Sequence, residues 1–324
     1  MQSFIMFTVD HFSEIVEKAI AGLDLSAEPS GLYLPIRYTL DGGGKRLRPT
    51  LLLATAAAFG ASPESVINQA LGVEMFHNFT LLHDDVMDNA DMRRGRPTVH
   101  RRWNSSTAIL SGDAMLTLAT QLVAKCDADK LAEILALFNK TAIEIYEGQQ
   151  YDMDFESETN VSVDSYLEMI RLKTAVLLGC ACRMGAIMAN ADAESCDAMY
   201  RYGELMGLAF QLQDDYLDTY GDPAMFGKEI GGDIINEKKT WLWINAMAER
   251  GEDMNRILER KLTDYLKIQE IKSVYDSLNL PERSHDLIVD YVNRAVKALD
   301  DAKISSEAHS FFMNLAQRTT SRKY

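Results

Sequence analysis

The chain has 324 residues, 47% of them hydrophobic and only seven of them proline, so it can bury a core of its own as one large domain or two ordinary ones. A net charge of −15 excludes a general nucleic-acid binder, which needs a basic surface. Charges break every apolar stretch well short of a membrane span, and the opening MQSFIMF lacks a signal-peptide pattern. A soluble, unexported, cytoplasmic protein is expected. The four cysteines (Cys126, Cys180, Cys182, Cys196) have no C-x-x-C spacing and read as free thiols of a reducing compartment.

Helical periodicity runs through the chain in order: 10–22, 49–60, 64–89, 107–125, 128–152, 163–188, 191–219, 238–250, 253–275, 281–299 and 304–318. Helix starts are marked by Ser62-Pro63, by Ser162 with Asp164, and by Pro281-Glu282. No run alternates with period two, so strands are not expected. No linker, repeat or composition shift marks a boundary. The expectation is an all-α, single-domain helical bundle over residues 1–324, with short connections between antiparallel neighbours.

The chemistry concentrates in residues 73–100. His77, Leu81, Asp84, Asp88 and Asp91 follow steps of three or four, which places them along one side of a helix. Their neighbours Val73, Met75, Phe76, Phe79, Leu82, Val86 and Met87 suit burial. Ionised carboxylates among such residues need cations to offset their desolvation. Asp84-Asp85-x-x-Asp88 offers clustered hard oxygens of the kind that hold Mg²⁺ jointly with substrate phosphates. The stretch 207–222 repeats the pattern, with Gln211 one turn before Asp214-Asp215-x-x-Asp218 on another apolar helix. Two such motifs on separate helices can hold several divalent ions around one diphosphate. Basic residues gather in GGGKRLRP (42–49) and RRGRP (93–97), which suits a small polyanion.

The paired D-D-x-x-D motifs, with GGKRLRP upstream and RRGRPTVH just after the first, resemble the trans-prenyl diphosphate synthases that make farnesyl or geranylgeranyl diphosphate. The resemblance covers residues from about 42 to 240. It implies a helical bundle of isoprenoid-synthase type around a central cavity, usually homodimeric. It also implies Mg²⁺, three ions per active site, with Asp84, Asp88 and Asp214 as ligands and Asp85, Asp152, Asp215 and Asp218 supporting them. Lys45, Arg48, His77 and Arg94 would hold isopentenyl diphosphate; Arg93, Gln149, Lys173, Lys228 and Lys238 would hold the allylic diphosphate. Lys173 and Lys238 would also stabilise the departing pyrophosphate, with Thr174 and Gln211 as dipoles beside the allylic cation. The proline that usually follows the Lys238 segment in this family is replaced by KKTWLW.

For product length, the resemblance points to Phe79, five residues before Asp84 and about 7.5 Å deeper along the helix. An aromatic there beside the small Thr80, with the short motif DDVMD, matches the geranylgeranyl (C20) pattern; farnesyl diphosphate (C15) is the alternative product. A class I terpene cyclase would need neither the second D-D-x-x-D nor GGKRLRP. A di-iron carboxylate bundle would use E-x-x-H pairs such as Glu74-x-x-His77 and Glu282-x-x-His285. A non-catalytic partner subunit would commonly have lost aspartates, and both motifs are complete.

Overall fold

The computed structural model describes residues 7–222 and 230–320, and among these the chain is helical apart from one two-stranded hairpin. It divides into two compact units: Met1–Asn139 with Cys180–Met199 and Ala302–Ala308, and Lys140–Gly179 with Tyr200–Asp301 and His309–Tyr324.

In the first unit, α1 (Val9–Ala21) buries Phe12, Val16 and Ile20 at four-residue spacing, and its first turn is capped by the Thr8 hydroxyl accepting from His11 N. Next comes α2 (Ser30–Leu40), which is not among the helices expected from periodicity. It forms because Ile36 and Leu40 are fully buried, and because Arg37 donates to the Ile20 and Leu23 carbonyls at the end of α1. After α3 (Leu47–Ala58) and a 3₁₀ turn (Pro63–Val66), α4 (Ile67–Met87) is the spine of this unit. It lies close against α6 (Ser105–Val123): a Cβ on Gly72 would stand 2.6 Å from Val123 Cγ1.

Between them a hairpin pairs β1 (Met92–Arg93) with β2 (Arg96–Pro97), followed by the short α5 (Val99–Arg102). No strand was expected here. Two residues, Arg94 and Gly95, close the turn with φ of 51° and 70°, the I′ geometry that matches strand twist.

The long α7 (Ala128–Ser157) leads to α8 (Val163–Ile170), a π turn (Arg171–Ala175), α9 (Val176–Met188) and α10 (Ala193–Tyr220). Within the second unit, a Cβ on Gly148 of α7 would meet Lys173 N at 2.3 Å, so only glycine lets α7 reach the π turn. The short α11 (Gly232–Ile235) is followed by α12 (Trp241–Leu258), α13 (Asp264–Ser277), α14 (Leu280–Ala298) and α15 (Ser306–Thr320). The expected break between 250 and 253 is instead a kink within α12, where Arg250 alone leaves helical geometry (φ −140°). The chain next stops before Thr263, whose hydroxyl accepts from Leu266 N and starts α13. Among the described residues no helix is long and apolar enough to cross a membrane.

Candidate active site

Helix α4 is buried on every side from Gln69 to Phe76, yet His77, Thr80, Leu81 and Asp84 keep partial exposure and Asp88 is open. Asp91 lies beyond the end of the helix at Met87, while His77, Leu81, Asp84 and Asp88 follow the expected stripe and Thr80 joins it. Asp85 falls off it: only 5% exposed, it accepts a 2.7 Å bond from Arg93 Nε. Burial raises the Asp85 pKa, against the opposing pull of the Arg93 guanidinium.

Four arginines surround the stripe's inner end. An Arg48 guanidinium nitrogen lies 3.2 Å from His77 Nε2. Arginine can only donate, so Nε2 must be the acceptor and the ring's proton sits on Nδ1. Burial, then Arg48, Arg94, Arg93 and Arg46, hold the His77 pKa well below its ordinary value, so the imidazole is neutral. Arg94 donates to the Gly43 carbonyl, and a Cβ on Gly44 (φ 136°) would collide with its guanidinium at 2.9 Å. This is why the GGGKRLRP loop and the RRGRP turn, 50 residues apart in the chain, come together. Lys45 is exposed on that loop. A pocket between α2, α4 and the hairpin is lined by Tyr38, Asn78, Asp85, Arg93, Arg94 and Arg96. Tyr38 is held between the Arg96 and Arg102 guanidiniums, 3.9 and 4.3 Å from its ring centre.

The second unit repeats the arrangement with opposite charge. On α10, Gln211, Asp214 and Asp218 keep partial exposure while Asp215, 6% exposed, is buried. Asp215 accepts from Tyr166 Oη (2.6 Å) and Gln211 Nε2 (2.8 Å), and Gln211 Oε1 accepts from the Thr174 hydroxyl (3.0 Å). Burial, then Asp215, keep Tyr166 a neutral phenol. Lys173 Nζ donates to Asp152 at 2.5 Å. Burial alone would raise the Asp152 pKa, but Lys238 and then Lys173 hold it below the usual carboxylate value.

Burial works against the Lys238 ammonium, yet Asp233, Asp215, Asp152 and Asp218 outweigh it and raise its pKa. Asp233 N donates to Asp218 Oδ1 (2.9 Å), and burial pushes the Asp233 carboxyl up to about 7 despite Lys238 nearby. Gln149 is buried and its Oε1 has no hydrogen-bond partner among the described residues. Lys228 lies outside the described residues.

Tyr166, Asp233, Glu74 and Arg46 were not picked out as site residues from sequence. Asp233, in FGKEIGGD just beyond the second motif, was within reach of sequence reasoning; Tyr166 had no signal, since only the fold brings it to Asp215. In the Glu74-x-x-His77 pair, the Glu74 carboxylate is engaged by Arg46 and Asn78, and His77 by Arg48. That removes the di-iron alternative at this pair.

The donor set fits Mg²⁺ in one particular way. Among the described residues, no three His, Cys, Asp or Glu side chains converge as a protein-only cage would require. Magnesium typically takes one or two carboxylates and completes its shell with phosphate oxygens and water. Partly open Asp84, Asp88, Asp214 and Asp218, each pair one helical turn apart, suit that role.

An aspartate stripe on α4 in the first unit and a second on α10 in the second unit, each on an otherwise apolar helix, are the pattern of an enzyme of the all-α isoprenoid-synthase class. Residues 29–278 match the polyprenyl synthetase family model. The chain is 35% identical over 314 residues to the geranylgeranyl diphosphate synthase of Methanosarcina mazei, covering 96% of each. It is 34% identical over 329 residues to the geranylfarnesyl diphosphate synthase of Natronomonas pharaonis, again covering 96% of each. A crystal structure of a geranylgeranyl pyrophosphate synthase superposes with a TM-score of 0.93 at 42% identity, over 98% of this chain and 100% of that one. The chain belongs to the polyprenyl synthetase family and is a prenyltransferase.

Proposed function

We propose that the protein condenses isopentenyl diphosphate with allylic prenyl diphosphates and that its main product is geranylgeranyl diphosphate. The observation that carries this reading is the unlike charge of the groups gathered in each unit. At the inner end of the α4 stripe, away from Asp84 and Asp88, arginines gather around a neutral histidine, which suits a diphosphate held without metal. In the second unit, carboxylates outnumber the lysines, which suits a diphosphate held through divalent ions. Mg²⁺, three ions in this reading, supplies Lewis-acid charge to the departing pyrophosphate when bound.

The protein's own groups do the rest. Asp84, Asp88 and Asp214 present ligand oxygens, while Asp85, Asp215, Asp218 and Asp152 orient their surroundings. Lys45, Arg48, His77 and Arg94 grip isopentenyl diphosphate. Arg93, Gln149, Lys173, Lys228 and Lys238 hold the allylic diphosphate, and prepositioned Lys173 and Lys238 stabilise charge on the leaving group. Thr174 and Gln211, bonded to one another, turn their dipoles toward the allylic cation. The isopentenyl double bond attacks that cation, and the released pyrophosphate accepts the proton lost. Residues 1–324 act as one catalytic domain in this reading.

Overall identity does not choose the product, because the relatives named for geranylgeranyl and geranylfarnesyl diphosphate are equally similar. Phe79 beside Thr80 on α4 favours C20 over C15. Four free cysteines fit a reducing cytoplasm. Exposed Ile109 (47%) and Leu110 (60%) on α6 support a homodimer.

The deciding experiment is product analysis by mass spectrometry with isopentenyl diphosphate and each of the C5, C10 and C15 allylic partners. Chains ending at C20 from all three are expected. Ionisation without elongation, giving hydrocarbons or alcohols, would make the protein a terpene cyclase.

A further inference from the structure

Resting on that reading, we infer that Glu74 is the positioning residue of the isopentenyl diphosphate subsite. Glu74 is 2% exposed, beneath the arginine cluster. Its Oε1 accepts from Arg46 Nη1 at 2.7 Å and from Asn78 Nδ2 at 2.8 Å. Each contact fixes a different phosphate-binding group.

Arg46 stands between Lys45 and Arg48, yet it points inward: 3% exposed, it also donates to Glu17 (2.7 Å) and to the Leu40 carbonyl (2.7 Å). Its backbone has φ of 46°, in the left-handed region. A non-glycine residue stays there only when its surroundings over-determine it. The Arg46 anchor therefore sets the path of the loop that presents Lys45 and Arg48.

Asn78 carries the second effect. A carboxylate can only accept, as can a backbone carbonyl, so Asn78 turns its NH₂ inward, donating to the Glu74 side chain and to the Glu74 carbonyl (2.8 Å). Asn78 Oδ1 is left facing Arg94, at 3.5 Å from Nη1. The Glu74 carboxylate thus reinforces the polarity of Asn78 set by the backbone carbonyl and, through it, the lie of Arg94. A glutamine at 74 keeps the backbone acceptor but replaces the charged one, so it would weaken the hold on both Arg46 and Asn78.

The test is steady-state kinetics of the full-length enzyme with Mg²⁺, comparing wild type, Glu74→Gln and Asn78→Ala. Glu74→Gln is expected to raise the KM for isopentenyl diphosphate about tenfold, with the allylic KM within twofold and kcat falling far less. Asn78→Ala, which leaves the Arg46 pair intact, should raise the same KM by a smaller factor. A lowered melting temperature with both KM values unchanged, or both raised alike, would show a merely structural role and overturn the inference. If Glu74→Gln does not fold, Asn78→Ala decides alone: a selective rise supports the inference and an unchanged KM sinks it. A wild type that joins no isopentenyl diphosphate to any allylic partner overturns the functional reading itself, a result the variants cannot mimic.

Discussion

Adjacent aspartates in each D-D-x-x-D motif have different lives. Asp84 and Asp214 sit on open stripes, whereas Asp85 and Asp215 are buried and bonded to Arg93 and to Tyr166 with Gln211. Asp84→Ala or Asp214→Ala should cut turnover by about 10²-fold or more, since metal-assisted charge stabilisation is lost. Melting temperature without Mg²⁺ should change little, because Asp84 and Asp214 are partly exposed. Asp85→Ala should instead lower stability by about 1–3 kcal/mol by stripping Arg93 of its partner. Thermal melts beside turnover assays separate the two roles, and equal melting temperatures for Asp84→Ala and Asp85→Ala would refute the division.

His77 gives a pH signature. Its folded pKa lies well below the ordinary 6.5, so below that pH the unfolded chain binds the proton and the folded one does not. Stability is therefore lost as pH falls through 6.5. His77→Asn should flatten the pH 5–7 slope of denaturant-derived stability; parallel slopes would mean that the histidine is charged in the folded state.

At the scale of elements, the π turn depends on Gly148. Gly148→Ala forces a Cβ to within 2.3 Å of Lys173 N, so α7 and the turn must part. Overpacking of this kind costs about 1–3 kcal/mol, and moving the Lys173 backbone should depress allylic turnover more than isopentenyl binding. A variant with wild-type melting and kinetics would mean the helices separate freely there.

In the proposed reading, helix α4 sets the product length. Phe79 is buried against the rings of Phe76 (5.5 Å) and His83 (4.8 Å), while Thr80 next to it lies on the open stripe. Phe79→Ala is expected to shift products toward C25 and longer, and Thr80→Phe toward C15, read by chromatography of the dephosphorylated chains. Unchanged products in both would place the floor on another helix.

Most helices were legible because their apolar spacing repeats over several turns. The segment 163–188 was even bounded correctly, but its π turn was not foreseen, since one extra residue per turn leaves no mark in the pattern. Helix α2 leaves little mark in the sequence because its stability comes from buried Ile36 and Leu40 and from Arg37 reaching α1, all tertiary effects. The hairpin is two residues per strand, too short for alternation. At the site, spacing revealed the stripes, but residue type alone could not say that Arg46 points inward while Lys45 points out.

For the whole molecule, the exposed Ile109 and Leu110 on α6 make oligomeric state testable. Leu110→Glu should convert a dimer to monomer in light scattering after size exclusion, with activity falling in step. A monomeric wild type would remove the homodimer from the proposal.

The split between net charge and local charge has a kinetic consequence. With 48 acidic against 33 basic residues, the protein presents a repulsive far field to any diphosphate. The arginine cluster is felt only within about one Debye length, roughly 8 Å at physiological salt. A substrate is thus not drawn in from a distance: it drifts against a weak repulsion and is captured only in the last nanometre. Encounter rates should accordingly sit in the ordinary unsteered range, about 10⁵–10⁷ per molar per second, so that selectivity between two diphosphates is exercised after contact and not during approach.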